Sequence, residues 1–455
     1  MRRPIVRSDE PEDLRDAFQI KKRGYTQQFA HLYFVRLTLL KKDTVRAAKA
    51  KWAEDRPDAI YTNKLLDMSG AGLRYGVGIV YIEMEDKPNI IDDITRENWV
   101  EAPPPKDKYC CGTNIISLED ESGRINLVGD ILNRVCIVTG AIIAVLGKES
   151  DSGDFEVVDV CFPGMAPQIE RPLAAPTPGH SAGLARYVAF VSGLMFGSSM
   201  PEAQPELTRK LADYLTASAK VDPGVPDPRG IVKLVVAGNS YIESPPPAGY
   251  TNDQRLNPRD TEQNDMVTLD HYFGHLVGGG DRSDAFGVPV DVMPGPLDPT
   301  LHSMPQPPLM KGILFPSAAR SDRFRTLSNP AWIDVGGLRM LGTSGQPVKD
   351  ISKYFEDGKL SELDILRHTL YWRHIAPTAP DTLGSYPFID YDPFVLSQSP
   401  HVYFAGNQTK FDTATVKDNG GVVTRIICVP KFAETGELVL MDINTLECVL
   451  VNLRT

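Results

Sequence analysis

Four short turns beyond residue 190 hold the residues best placed for chemistry: Gly193, Gly238-Asn239, Gly295-Pro296-Leu297-Asp298 and Gly406-Asn407. Each closes a short apolar run. Glycine permits a tight turn, and the residue beside it can aim a side chain into a shared cleft. Such a layout suits phosphate-ester hydrolysis by two divalent cations about 4 Å apart, held by Asp, His and Asn side chains. The ligand supply is thin. Asp298 is the one carboxylate in these turns, and His374 is the imidazole that could join it. Glycine and leucine have no donor atom, methionine offers a soft thioether, and asparagine is neutral. A hard cation wants carboxylate and water oxygens. The expectation is no metal centre, no cofactor and no catalytic residue. Asp298, just before Pro299, reads as a turn cap. His374, just after a helix, reads as a side chain bonded to the backbone. Ser192 beside Gly193 lacks the G-x-S-x-G setting of a nucleophile elbow.

The elements that position these turns alternate. Tyr187–Ser192, Ile231–Ala237 and Val288–Met293 are short, continuous and β-branched, as strands buried on both faces are. Helices are predicted over Pro205–Ala219 and Asp260–Leu276. That rhythm implies a largely parallel sheet with covering helices, whose ligand site lies beyond the carboxyl ends of the strands. Hairpin-like strands follow at Ala331–Val335 and Leu338–Gly342, with a helix from Ser361 to about Arg373. The chain closes on strands Val422–Val429, Leu438–Asp442 and Cys448–Leu453, which as sequential strands should pair antiparallel. A mixed αββα sandwich of two sheets fits. The loops Asp222–Arg229 and Ser244–Arg259 interrupt it, and the second is expected to be mobile.

The first half has a different texture. Residues 1–24 read as a charged arm. Phe29, Leu32, Tyr33, Leu37 and Leu40 recur at helical spacing, and Asp43 is placed to cap a second helix running to Trp52, giving a helical segment over 25–62. From 63 to 163 short strands alternate with turns: Tyr75–Ile82, Thr113–Leu118, Arg124–Val128, Val135–Leu146 and Phe155–Phe162. An insert with Pro103-Pro104-Pro105 separates the first two. This spacing suggests a small closed barrel, with Gly140 inside a strand where the barrel must bend. Residues 164–180, rich in proline, read as an extended linker. The domain that follows spans 181–455. The fold class is therefore α/β plus all-β.

Of the 455 residues, 48 are Lys or Arg and 59 are Asp or Glu, a net charge of −11. A free-standing nucleic-acid binder needs clustered positive charge, so any DNA affinity would have to be borrowed. The six cysteines, Cys110, Cys111, Cys136, Cys161, Cys428 and Cys448, form no C-x-x-C pair and read as thiols in a reducing compartment. No apolar run approaches the roughly 20 residues of a membrane span, and no signal-peptide core begins the chain. An intracellular, soluble protein is expected. Lys21-Lys22-Arg23 is too short to read as a nuclear address.

Several long strings carry a resemblance. They are Pro289–Gly295 (PVDVMPG), Leu341–Gln346 (LGTSGQ), Arg373–Gly384 (RHIAPTAPDTLG) and His401–Asn407 (HVYFAGN). Through them the chain, from about Tyr25 to Leu453, resembles the B-subunit family of eukaryotic and archaeal replicative DNA polymerases, and within it the polymerase delta branch. The resemblance implies an oligonucleotide-binding (OB) barrel joined to a calcineurin-like phosphoesterase domain. An active phosphoesterase would place Asp-x-His where this chain has Gly193 and Met195, and an aspartate at Asn239. It would place Gly-Asn-His-Asp/Glu at Gly295-Pro296-Leu297-Asp298, and Gly-His-x-His from Gly406 and Asn407 onward. The implied role is a non-catalytic nuclear subunit for replication and repair synthesis. It would hold the C-terminal metal-binding domain of the catalytic subunit and bind a third subunit, touching DNA only through the holoenzyme. Leu301, Met304, Leu309 and Met310 are candidate partner contacts, or a loop covering the old cleft. The alternatives are an active metallophosphoesterase or nuclease with rearranged ligands, and a single-stranded DNA-binding module; between Tyr75 and Phe162 aromatic and basic residues are few for the latter.

Overall fold

The computed structural model describes residues 14, 16–20, 24, 28–70, 72–87, 107–110, 114–171, 185–197, 200–218, 224–242, 258–278, 287–418 and 420–454. Most of the arm, the Pro103–Pro105 insert, residues 172–180 and most of the loop Ser244–Arg259 lie outside them.

One helix, α1 (Ala30–Trp52), runs unbroken where two were expected. Nothing between Leu40 and Thr44 stops it. The Thr44 hydroxyl donates back to the Leu40 carbonyl at 2.8 Å, so its polar group is satisfied inside the helix. Asp43 is no cap; it accepts from Arg373 at 2.6 Å. The buried face carries Leu32, Leu37, Leu40, Ala48 and Trp52.

Behind α1 lies the barrel. Its strands are β1 (Ile60–Tyr61), β2 (Arg74–Glu83), β3 (Ile115–Glu119), β4 (Arg124–Val128), β5 (Ile142–Glu149) and β6 (Phe155–Cys161). They run in the order β1-β2-β3-β4-β6-β5, and a β2–β5 pairing closes the ring. The long β2 makes closure possible: Arg74–Ile79 pairs with β5, and Ile79–Glu83 pairs with β3. At the crossover stands Gly78, where a Cβ would sit 2.7 Å from the Glu119 carbonyl oxygen. Gly140 is not within a strand. It lies in the turn before β5 with φ +84°, and a Cβ there would meet the Pro377 carbonyl oxygen at 2.0 Å. Its role is close approach to the second half of the chain, not a bend in the barrel wall.

The second half stacks two sheets. The first joins β7 (Tyr187–Val191), β8 (Ile231–Ala237), β9 (Val290–Met293), β10 (Phe324–Thr326), β16 (Glu437–Asp442) and β17 (Cys448–Asn452) in the order β10-β9-β8-β7-β16-β17. Strands β7 to β10 are mutually parallel, and β16 and β17 are antiparallel additions. The second joins β11 (Ala331–Val335), β12 (Leu338–Thr343), β13 (Val402–Gln408), β14 (Asp412–Lys417) and β15 (Val423–Pro430) in the order β11-β12-β13-β15-β14. Phe190, Val235 and Met293 of one sheet and Met340, Phe404 and Ile427 of the other form the core between them. Helices α2 (Gln204–Leu215) and α3 (Pro258–Leu276) cover the outer face of the first sheet. Helices α4 (Gln346–Ser352) and α5 (Glu362–Tyr371), the latter capped by Ser361, cover the second and share a core with the barrel.

Besides the shared apolar core, two polar devices help fasten barrel to sandwich. The proline-rich stretch begins as a docked strap. Arg373 donates to the Gly164 and Met165 carbonyls at 2.7 Å each, Ser399 donates to Ala166 and Pro167, and Gln168 donates to Pro400 and Val423. The other device is Arg36 on α1, whose side chain is 0% exposed. Its guanidinium donates to Asp392 Oδ2 at 2.9 Å, Gly140 O at 3.1 Å, Pro377 O at 2.7 Å and Ala379 O at 2.8 Å. Removing one partner of a buried ion pair leaves an uncompensated charge, which costs about 3–5 kcal/mol. Arg36→Met should therefore lower stability by about that amount, read as a lower chemical-denaturation midpoint; an unchanged midpoint would show that Arg36 fastens nothing.

Candidate functional site

Parallel strands β7, β8, β9 and β13 deliver their carboxyl ends to one region. The Gly193 amide donates to the Gly238 carbonyl at 2.9 Å, and a Cβ on Gly238 would lie 3.0 Å from Gly295. The Asn407 side-chain amide donates to Ala237 O at 3.2 Å and to Ser344 O at 2.9 Å. The four sequence-predicted turns thus meet. Three non-glycine residues in them hold positive φ: Met195 (53°), Asn239 (56°) and Asn407 (57°). Left-handed backbone is costly for such residues and clusters at functional loops.

Asp298 is 3% exposed, and its carboxylate faces the main chain. Oδ2 accepts from the Asn239 amide at 2.8 Å and the Gly295 amide at 2.7 Å; Oδ1 accepts from the Tyr241 amide at 2.9 Å. Burial pushes the carboxyl up to about 6, against the lowering effect of those N–H donors. Asn239 Oδ1 in turn accepts from the Leu297 amide at 3.1 Å. Pro296 and Leu297 are exposed, and Gly193 and Met195 contribute backbone only.

Neutral amides fill the space beside these turns. The Asn329 side-chain amide lies within 2.9 Å of Gln306 Oε1, Ser344 Oγ and Gln346 Oε1. Gln346 Nε2 donates to Gln306 Oε1 at 2.8 Å, and Gln306 Nε2 donates to the carbonyls of Gly295 and Leu301. Gln306 and Asn329 are both 0% exposed. Sequence reasoning missed this cluster, apart from Ser344 and Gln346, which lie inside the LGTSGQ string. Among the described residues no three His, Cys, Asp or Glu side chains gather where they could hold a metal ion.

His374 is not part of the cluster. It sits against Asp392 (2.9 Å from Nε2) and accepts from the Ala376 amide at Nδ1 (3.2 Å). An Nδ1 that accepts is unprotonated, so Nε2 carries the proton and donates it to Asp392. Burial and the Arg36 charge push the His374 pKa down to about 4, although Asp392 pulls the other way. Burial alone would raise Asp392, but His374 and Arg36 overcome it and hold that carboxyl well below the usual range. Of the candidate partner contacts, Met304 (0%) and Leu309 (3%) are buried in the core, whereas Leu301 (45%) and Met310 (60%) are exposed. The Leu301–Met310 segment is an ordered loop beside Asp298, tied down by the Gln306 side chain.

Comparison with known proteins agrees with this architecture. Residues 28–160 match the DNA polymerase delta subunit OB-fold domain, and residues 188–413 match the B-subunit family of DNA polymerases alpha and epsilon. An OB-fold barrel followed by that second domain defines a B-type accessory subunit of a replicative DNA polymerase. The chain is 37% identical to the DNA polymerase delta small subunit of Arabidopsis thaliana over 438 residues, 96% of this chain and 93% of the relative. It is 34% identical to DNA polymerase delta subunit 2 of Drosophila melanogaster (97% and 96% covered) and 32% to the small subunit of Saccharomyces cerevisiae (95% and 91%). It belongs to the DNA polymerase delta small-subunit family.

A histidine whose pKa is depressed in the folded state contributes stability that is complete above its unfolded value near 6.5 and is lost as pH falls toward about 4. The stability advantage of the wild type over His374→Gln should therefore shrink across that window, by on the order of 3 kcal/mol. Parallel melting curves at all pH values would contradict it.

Proposed function

We propose that this chain is a non-catalytic scaffold of DNA polymerase delta. Its sandwich is a calcineurin-like phosphoesterase domain whose metal site has become a structural plug. The supporting observation is the state of the strand-end residues. The carboxylate oxygens of Asp298 are taken by backbone N–H groups, and the neighbouring volume holds Gln306, Asn329, Ser344 and Gln346 bonded to one another. Uncharged amides cannot balance two divalent cations. The chain would join the C-terminal metal-binding domain of the catalytic subunit to a third subunit, in the nucleus, during replication and repair synthesis. With a net charge of −11, its hold on DNA would come through the holoenzyme. Leu301 and Met310 are the candidate contacts that remain at the surface.

Metal content, turnover and stability measurements test this. Purified protein should carry no stoichiometric metal and show no manganese-dependent phosphodiester turnover. Asp298→Asn should cost stability alone, about 1–3 kcal/mol, because its amide would face a backbone N–H that now has an acceptor. Stoichiometric metal with turnover abolished by that variant would overturn the proposal. Adding the catalytic subunit should raise the melting temperature, since a ligand at about 100 times its Kd stabilises the form it binds by about 2.7 kcal/mol. An unchanged melting temperature would rule out direct contact.

A further inference from the structure

Phe34 departs from the pattern of α1. The helix buries Leu32, Leu37 and Leu40, yet Phe34 stands 59% exposed on a different flank. It lies at a groove of about 410 Å³ between α1 and the segment that carries Tyr61 and Asn63. Leu37, Val45 and Tyr61 supply apolar lining beside it, and Lys41, Lys42 and Glu121 supply its charged lining. Ile60, the neighbour of Tyr61, is 58% exposed. An apolar groove beside a helix, left open to water, is the kind of surface on which an amphipathic segment docks.

The charge at this groove runs against the rest of the chain. From Lys41 to Lys51 the helix carries Lys41, Lys42, Arg46, Lys49 and Lys51 against one acid, Asp43, in a protein of net charge −11. Some of these cations are already matched. Arg46 pairs with Asp43, Lys51 with Asp159, and Lys41 with Glu121 at 3.6 Å. Of the helix cations Lys42, which lines the groove, and Lys49 remain, and Lys64 follows the groove residue Asn63 in sequence. Among the described residues none offers any of the three a carboxylate within ion-pair distance, and all three are exposed. The Lys49 ammonium stands 5.4 Å over the Tyr61 ring.

Apolar lining with unmatched cations around it calls for an apolar, acidic occupant. A nucleic-acid strand fits less well. Single strands need successive free rings to stack their bases. Tyr61 is covered by Lys49 on one side and packs against Tyr75 at 5.4 Å, leaving Phe34 as the open ring of the groove. We propose that this groove docks an acidic amphipathic segment of another protein. Its large apolar side chains rest on Phe34, Leu37, Val45 and Tyr61, and its carboxylates pair with Lys42, Lys49 and Lys64. The site lies on the barrel and its helix, so it stands independently of how the strand-end turns are read.

The test is selection of a random peptide library on the full-length chain. Affinities of the enriched peptides are then read by fluorescence anisotropy on wild type, Phe34→Ser and the double variant Lys42→Glu/Lys49→Glu. All three positions are exposed, so both variants should fold and keep a single cooperative melting transition. Enriched peptides should combine large apolar with acidic residues. They should bind with a micromolar Kd, lose about tenfold or more in affinity to either variant, and weaken with added salt. No enrichment, enrichment without acidic bias, or affinities that the variants leave unchanged would overturn the proposal. An oligothymidylate probe that binds wild type and is released by the same variants would assign the groove to nucleic acid and overturn it equally.

Discussion

A buried guanidinium needs partners for its donors, and every nitrogen of Arg36 finds one, from two separate stretches of the chain. It stands on α1, and its acceptors lie in the turn before β5 and in the 377–392 stretch of the sandwich. The surroundings must supply a counter-charge and carbonyls in a fixed fork geometry. That demand fixes Asp392, and Asp392 orients the His374 ring, which burial and the Arg36 charge keep neutral. It also explains why Gly140 must be a glycine: the Pro377 carbonyl that Arg36 binds occupies the space a Cβ would take. This contact, the strap and the apolar core that α4 and α5 share with the barrel together hold barrel and sandwich in place.

The strand-end turns show a different economy. Their backbone retains left-handed residues at three positions, a geometry suited to aiming ligands, while their side chains bond inward to main chain and to each other. Asp298 illustrates the change of role. A carboxylate that would face a cation instead ties the ends of β8 and β9 together through three backbone donors. A buried polar network of this kind stabilises only when its members are satisfied. Gln306 and Asn329, fully buried and bonded at both ends, meet that condition.

Much of this was legible in the sequence, for identifiable reasons. The runs behind β7, β8 and β9 are continuous and apolar because both faces are covered, and their bounds were read to within two residues. Strands β10 and β14 escaped notice. The first is three residues long, and the second, DTATVK, carries little apolar signal as a half-exposed edge strand. Helix α4 was missed because Pro347 and a short span hide its periodicity. The single α1 was split because aspartate is a good helix cap, and only tertiary structure shows that Asp43 is engaged by Arg373. The turns themselves were visible through their glycines. The amide plug was not, because Gln306, Asn329 and Gln346 are scattered in sequence and gain meaning only when the fold assembles them.

The strap over residues 163–171 has a mechanical consequence. A connector held along its length by Arg373, Ser399, His401 and the turn after β16 cannot act as a hinge. A displacement of the barrel is passed to the rim of the second sheet instead of being absorbed by loose chain. Any protein that grips both halves therefore meets two parts already held together and loses little motional freedom in seating on them.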